Sequence, residues 1–136
     1  MAHRLSGKAL AFVRSQRVAR LATVSRNGMP HNVPVCTVAA GGRIYLASDK
    51  DARKVRNVRA TARVALAFDQ YSENWKTLAG VMVLGTGTIV DRGAEFRRAR
   101  HALYRKYKPY ARVAAIEEGE SVIIVVTPTQ SFSWGL

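Results

Sequence analysis

Cysteine is almost absent from this chain, acidic residues are scarce, and no long apolar run occurs anywhere in its 136 residues. The lone thiol, Cys36, can form no internal disulfide and no cysteine cluster able to hold a structural metal, a composition that fits a reducing compartment. No stretch approaches the roughly 18 uninterrupted apolar residues of a membrane-spanning helix. The opening MAHRLSGKALAFVRSQRVAR is broken by Arg4, Lys8, Arg14 and Arg17 and lacks the apolar centre of a secretory signal. The chain therefore reads as cytoplasmic, without a membrane partner. No Ser/His/Asp arrangement and no metal-ligand spacing stands out, and no segment repeats. With 48% hydrophobic residues it can bury a core, yet it is short for two, so residues 1–136 read as one domain.

Nine acidic residues against 22 lysines and arginines leave a net charge of +13, which draws anions of some kind. The charge is not spread evenly. Arg43 to Arg63 carries seven basic and two acidic residues, Asp91 to Arg112 eight and two, and the stretch between them is nearly neutral.

Periodicity supplies the elements. Ser6 is placed to cap a short amphipathic helix with Ala9, Leu10, Phe12 and Val13 inward. Val18 to Ser25 reads as a strand, Arg26-Asn27-Gly28-Met29 as a tight turn, and Pro30 to Ala40 as the returning strand. Pro30 and Pro34 cannot donate to a ladder, which puts that strand at an edge or beside a ligand cleft. Gly41-Gly42 turns into the strand Arg43 to Ser48, and Asp49 or Asp51 can cap a helix over Ala52 to Ala60. Strands follow at Arg63 to Asp69 and Gly80 to Val90, with Gly85 and Gly87 as bend or bulge points, separated by a polar connection holding Trp75. A helix over Ala94 to Tyr107 stops at Lys108-Pro109, and Ser121 to Thr127 and Ser131 to Trp134 supply the last strands. The sum is a mainly β (α+β) chain: six or seven antiparallel strands in a split barrel, with two or three flanking helices.

The strand Ile44 to Ser48 runs directly into Asp49-Lys50-Asp51-Ala52-Arg53-Lys54. A hydroxyl, a guanidinium fork and an ammonium can converge there near a helix N-terminus, a favourable place for phosphate. The same residues can equally form a solvated basic helix face. No convincing metal site or catalytic residue emerges. His31, a lone histidine after proline, reads as structural, Cys36 as a small core residue, and Trp75 and Trp134 as packing residues.

The order of RLATVSRNGMPHNVPV, RIYLASDKDARKVRNV, RVALAF and VMVLGTGTIV resembles the flavin-binding split-barrel proteins related to pyridoxamine 5'-phosphate oxidase. DQYSENW, KYKPY and SFSWGL are similar to the branch that uses the deazaflavin coenzyme F-420. The resemblance implies a homodimer with a cofactor in each interface cleft, Val33, Pro34 and Val35 bordering the ring. Ala47 and Ser48 would sit beside the ribityl chain and phosphate, Arg53 and Lys54 would bind the phosphate, and Lys50 is a further basic candidate. His31-Asn32-Val33-Pro34-Val35-Cys36 lacks the Arg and Lys that the oxidase carries on this strand, which argues against vitamin B6 oxidation and leaves the substrate open. The implied cofactor is F-420 or FMN, with a slight preference for F-420 because its polyglutamate tail suits the basic segment Lys50 to Arg63. The expected function is a small-molecule oxidoreductase. Its alternatives are a non-enzymatic flavin, haem or tetrapyrrole carrier or sensor and, more remotely, a nucleic-acid-binding barrel, against which the basic runs fall on helices rather than strands.

Overall fold

The computed structural model describes residues 3–136. Seven antiparallel strands, β1 (Ala19–Val24), β2 (Pro30–Val35), β3 (Val38–Ala40), β4 (Arg43–Asp49), β5 (Arg63–Gln70), β6 (Ala79–Val90) and β7 (Ser121–Trp134), form one sheet in the order β2-β1-β5-β6-β7-β4-β3. The two edge strands are consecutive in the chain and separated only by Cys36 and Thr37. Three Cα steps span at most about 11 Å, whereas seven strands laid flat at their usual spacing would hold those edges roughly 29 Å apart. The sheet must therefore curl into a partly closed barrel. The proline-bearing strand does lie at an edge, but it is not continuous to Ala40: the chain leaves one edge after Val35 and restarts at the other with Val38.

That crossing is held from outside. Tyr107, at the end of α3 (Gly93–Lys106), accepts from the Thr37 N–H at 3.1 Å, and its hydroxyl lies 3.0 Å from the Thr37 carbonyl and 2.9 Å from that of Arg17. Lys106 Nζ donates to the same Thr37 carbonyl at 2.8 Å. Thr37 is buried, so these bonds satisfy a peptide that neither edge strand pairs.

Alternation builds the interior. Leu21, Ile44, Leu46, Val64, Leu66, Phe68, Val81 and Val83 point inward and are fully or nearly fully buried. α1 (Gly7–Ser15) adds Ala9 and Val13, and Ser6 Oγ caps it by accepting from the Ala9 N–H at 3.1 Å. Leu10 and Phe12 end half-buried at its margin. α2 (Arg53–Thr61) adds Val55 and Val58 and is tied to β1 by the buried Asn57, whose Nδ2 donates to Thr23 Oγ1 at 3.0 Å. On the outer face Phe96, Ala99 and Leu103 of α3 cover Ile123 and Val125 of β7, which explains why SVIIVVT shows no alternation: both of its faces are buried.

β7 runs unbroken from Ser121 to Trp134 where two strands were expected. The interruption is only a register shift against β6 between Leu84 and Gly85. Gly85 faces Pro128 there, and a Cβ on Gly85 would stand 2.4 Å from the Thr127 carbonyl oxygen, so the bulge needs glycine on one strand and tolerates proline on the other. Neither Asp49 nor Asp51 caps α2. Asp49 ends β4 opposite Ser121, and Ala52 is the N-cap, with no side-chain bond. A one-turn helix α4 (Tyr110–Val113) and a 3₁₀ turn at Trp75–Thr77 stand beside α1, α2 and α3, where two or three helices are expected from the sequence.

Tyr107→Phe removes the hydroxyl that meets the buried Thr37 N–H and is expected to lower the unfolding free energy by about 1–3 kcal/mol. Urea titration followed by circular dichroism measures it; an unchanged midpoint would show that the crossing does not depend on this bond.

Candidate functional site

β4 delivers Ala47 and Ser48 to the end of the sheet, and the chain then turns sharply into α2. The turn is lashed to the loop before β7: the Lys50 N–H donates to the Glu120 carbonyl at 3.1 Å and Lys50 Nζ to the Gly119 carbonyl at 2.9 Å. Ser48 Oγ donates to the Asp49 carbonyl at 3.0 Å, leaving its lone pairs free to accept. α2 then starts with Arg53 and Lys54. Its first turn holds no acidic residue and no side-chain cap, and since the Val55 N–H already donates to the Ala52 carbonyl, the Arg53 and Lys54 N–H groups are offered together with their two cationic side chains. The four ion pairs among the described residues, Arg20–Asp69, Arg43–Glu95, Arg92–Asp91 and Arg97–Glu118, involve none of Lys50, Arg53 or Lys54.

Two cavities flank the turn. One, of about 260 Å³, is lined by Ala47, Ser48, Tyr110 and Ile116 among others. The second, of about 420 Å³, takes Lys50, Arg59, Arg92 and Glu118 into its wall, and Ser121 borders both. Arg53 and Lys54 line neither cavity. Val33 and Val35 of β2 face the barrel interior, Val35 within the buried core cluster and Val33 packed against it, and neither lines the two cavities. Pro34 points outward from β2.

Sequence reasoning did not single out Tyr110 as a site residue, because its place depends on α4. It shares the Ser48 cavity and packs against Tyr104 and Tyr107, with ring centroids 6.1 and 6.2 Å away. Burial pushes its hydroxyl up to about 12, with Cys36, Tyr107, Tyr104 and Asp49 adding to the shift. KYKPY was the available signal. Cys36 is half-buried against the same aromatic cluster, as a small packing residue. His31 stands opposite Thr23 and is half-buried, its Nδ1 enclosed without a hydrogen-bond partner. Trp134 lies flat over Gly80, where a Cβ would meet its ring at 2.1 Å, but Trp75 is 72% exposed and packs against no core within this chain.

Residues 5–135 match the family described as pyridoxamine 5'-phosphate oxidase. The chain belongs to that family. A 5a,11a-dehydrotetracycline/5a,11a-dehydrooxytetracycline reductase of Streptomyces rimosus is 34% identical over 100 residues, which span 67% of this chain and 68% of the reductase. Among solved structures, a conserved hypothetical protein of Mycobacterium tuberculosis superposes with a TM-score of 0.82 at 22% identity, covering 98% of this chain and 86% of the other. The heme storage protein HutZ of Vibrio cholerae gives 0.79 at 16% identity, covering 96% and 94%. A heme binding protein of Mycobacterium smegmatis gives 0.81 at 22%, covering 98% of this chain and 55% of that one. At these identities the structural likenesses carry the fold alone. No described helix is long and apolar enough to cross a membrane, and the described residues hold no cluster of metal-ligating side chains.

Within this pyridoxamine 5'-phosphate oxidase family fold, the raised Tyr110 hydroxyl has a consequence for stability. In the unfolded chain a tyrosine ionises near 10, whereas in the fold it keeps its proton to about 12. Its contribution is therefore fully present below pH 10 and is lost as pH rises toward 12. Thermal midpoints across that window should fall for the native chain and fall less steeply for Tyr110→Phe; parallel curves would contradict the assignment.

Proposed function

We propose that this chain is an oxidoreductase that holds a flavin-type cofactor, F-420 with a slight preference over FMN, and passes hydride to or from a small unsaturated or aromatic molecule. The observation that carries this reading is the uncapped N-terminus of α2, where Arg53 and Lys54 stand unpaired beside the Ser48 strand end in a chain of this family. The donor set suits a phosphate or phosphodiester: two cations, a hydroxyl and helix N–H groups, with no carboxylate in the first turn. Ser48 and Lys50 complete that cradle, and Ala47 leaves room for a ribityl chain. Val33, Pro34 and Val35 border the ring, partly through the backbone of an edge strand whose Pro34 offers no donor. When bound, such a ring supplies the hydride chemistry, and the protein's task is to hold it, orient the substrate and exclude water. The basic run Lys50 to Arg63 gives a polyglutamate-bearing deazaflavin its small electrostatic advantage. The reductase relative from Streptomyces rimosus supports the reaction class.

The same reading includes a homodimer. The outer face of β5, β6 and β7 presents Ala65, Ala67, Met82 and Leu84, with Phe132 and Trp134 each 48% exposed, an apolar patch suited to a second copy of itself. Ring clefts at the subunit junction would then be walled by both copies.

A second reading, a carrier or sensor that sequesters haem, another tetrapyrrole or a flavin without turnover, starts from the unpartnered Nδ1 of His31, a nitrogen that would have to be uncovered before it could ligate iron. Likeness in fold to the two heme proteins is compatible with it.

Arg53→Ala and Lys54→Ala are each expected to weaken F-420 or FMN binding by about 10- to 100-fold, the worth of one charge-assisted hydrogen bond, with Arg105→Ala as the neutral control in calorimetric titration. Unchanged affinity in both variants would sink the assignment, and a tight haemin complex abolished by His31→Ala would favour the carrier. Phe132→Glu should convert a dimer to a monomer in sedimentation velocity; a native monomer would remove the interface from the account.

A further inference from the structure

A larger cavity lies at the other end of β4, away from the proposed cofactor turn. It measures about 530 Å³, within the usual range of small-molecule pockets. α1 forms one wall and the β3–β4 hairpin the other, with Leu5, Leu10 and Ala39 supplying apolar surface over the buried Ile44 and Pro128. Ile44 and Ser48 are four residues apart on one strand, about 13 Å at the usual rise, so the two places do not overlap. Three guanidiniums stand around the cleft: Arg4, Arg14 and Arg43. Arg43 is already balanced by Glu95, at 3.0 Å. Arg4 and Arg14 enter no ion pair among the described residues, and no carboxylate lines the cleft.

The cleft is built from fixed parts. The segment carrying Arg4 and Leu5 is pinned to the second half of β7, because the His3 N–H donates to the Pro128 carbonyl at 2.8 Å and His3 Nε2 lies 2.7 Å from Ser131 Oγ. Arg14 is one helical turn beyond Leu10 and so lies on the same face of α1. An apolar floor with two uncompensated guanidinium forks at its rim matches a molecule with an apolar body and one anionic end.

We propose that the α1–hairpin cleft binds a small amphipathic anion, a medium-chain or aromatic carboxylate or its phosphate counterpart, with Arg4 and Arg14 holding the anionic end and Leu5, Leu10 and Ala39 the apolar body. The site uses no residue of the cofactor reading and stands or falls apart from it. The anion can arrive as a free acid or as the phosphodiester headgroup of a membrane lipid, and the two sources are separable by experiment.

The test is an amide NMR titration of the full chain with decanoate below its micelle-forming concentration, beside decanol as the uncharged control and phosphatidylglycerol vesicles as the membrane arm. Saturable shifts confined to Leu10, Gly41, Gly42 and Ile44, at least tenfold weaker with decanol and with the Arg4→Ala/Arg14→Ala variant, support the cleft. Arg53→Ala should leave them unchanged. Shifts scattered over the surface, equal affinity for decanol, an unaffected double variant, or binding to vesicles alone would each overturn it.

Discussion

The architecture depends on one short crossing. Two residues, Cys36 and Thr37, carry the chain between the two edges of a seven-stranded sheet, and the sheet can satisfy that only by curling on itself. The buried Thr37 peptide has no strand to pair with, so its polar groups turn to the end of α3, where Tyr107 and Lys106 receive them. Burial lowers the affinity of Lys106 for its proton, and the nearby Arg17 adds to that, which is the electrostatic cost of placing an ammonium at this junction. Closure thus links three parts of the chain: the edge strands, the outer helix and, through the Arg17 carbonyl bonded by Tyr107, the entry to β1.

Closure also determines where anions can be held. A curled sheet has its inner face filled by Leu, Val and Phe side chains and plugged by α1 and α2, so polar chemistry is confined to strand ends and the turns leaving them. β4 reaches such an end at Ser48. Because β4 pairs with β7 and α2 is anchored to β1 through Asn57 and Thr23, the turn from Ser48 to Arg53 is held by both its neighbours. A phosphate bound there would meet donors already in position, and although Asp49 and Asp51 lie in the same turn, Lys50, Arg53 and Lys54 enter no ion pair among the described residues that would have to be broken first. The hairpin at the opposite end of the same strand presents the second basic cleft.

Much of this was legible in the residues. The alternation of RVALAFD puts Val64, Leu66 and Phe68 inside, the prolines of β2 mark an edge, and Gly85 marks the bulge, because each follows from local backbone or side-chain chemistry. The change of edge at Cys36 was not, since the apolar pattern runs straight across it and only the curl of the whole sheet breaks the strand. Capping of α2 by Asp49 or Asp51 failed for a similar reason: β4 extends through Asp49 to pair with Ser121, a tertiary demand that overrides a local preference. At the candidate site, Ser48, Arg53 and Lys54 follow from a strand running into a helix. Tyr110 does not, since it comes from a one-turn helix stabilised by aromatic neighbours. The size of Trp75 suggests packing, yet it is exposed, because the polar connection that carries it lies on the surface of this chain.

The phosphate anchor is the centre of the functional account, and comparing two ligands that differ only in that group tests it most directly. Visible absorption and fluorescence titrations with FMN and with riboflavin, at equal salt, isolate the contribution of Ser48, Arg53 and Lys54 from that of the ring. The account predicts that the phosphorylated flavin binds at least tenfold more tightly and that added salt narrows the gap. Equal affinity for the two, or no spectral change with either of them or with F-420, would contradict it.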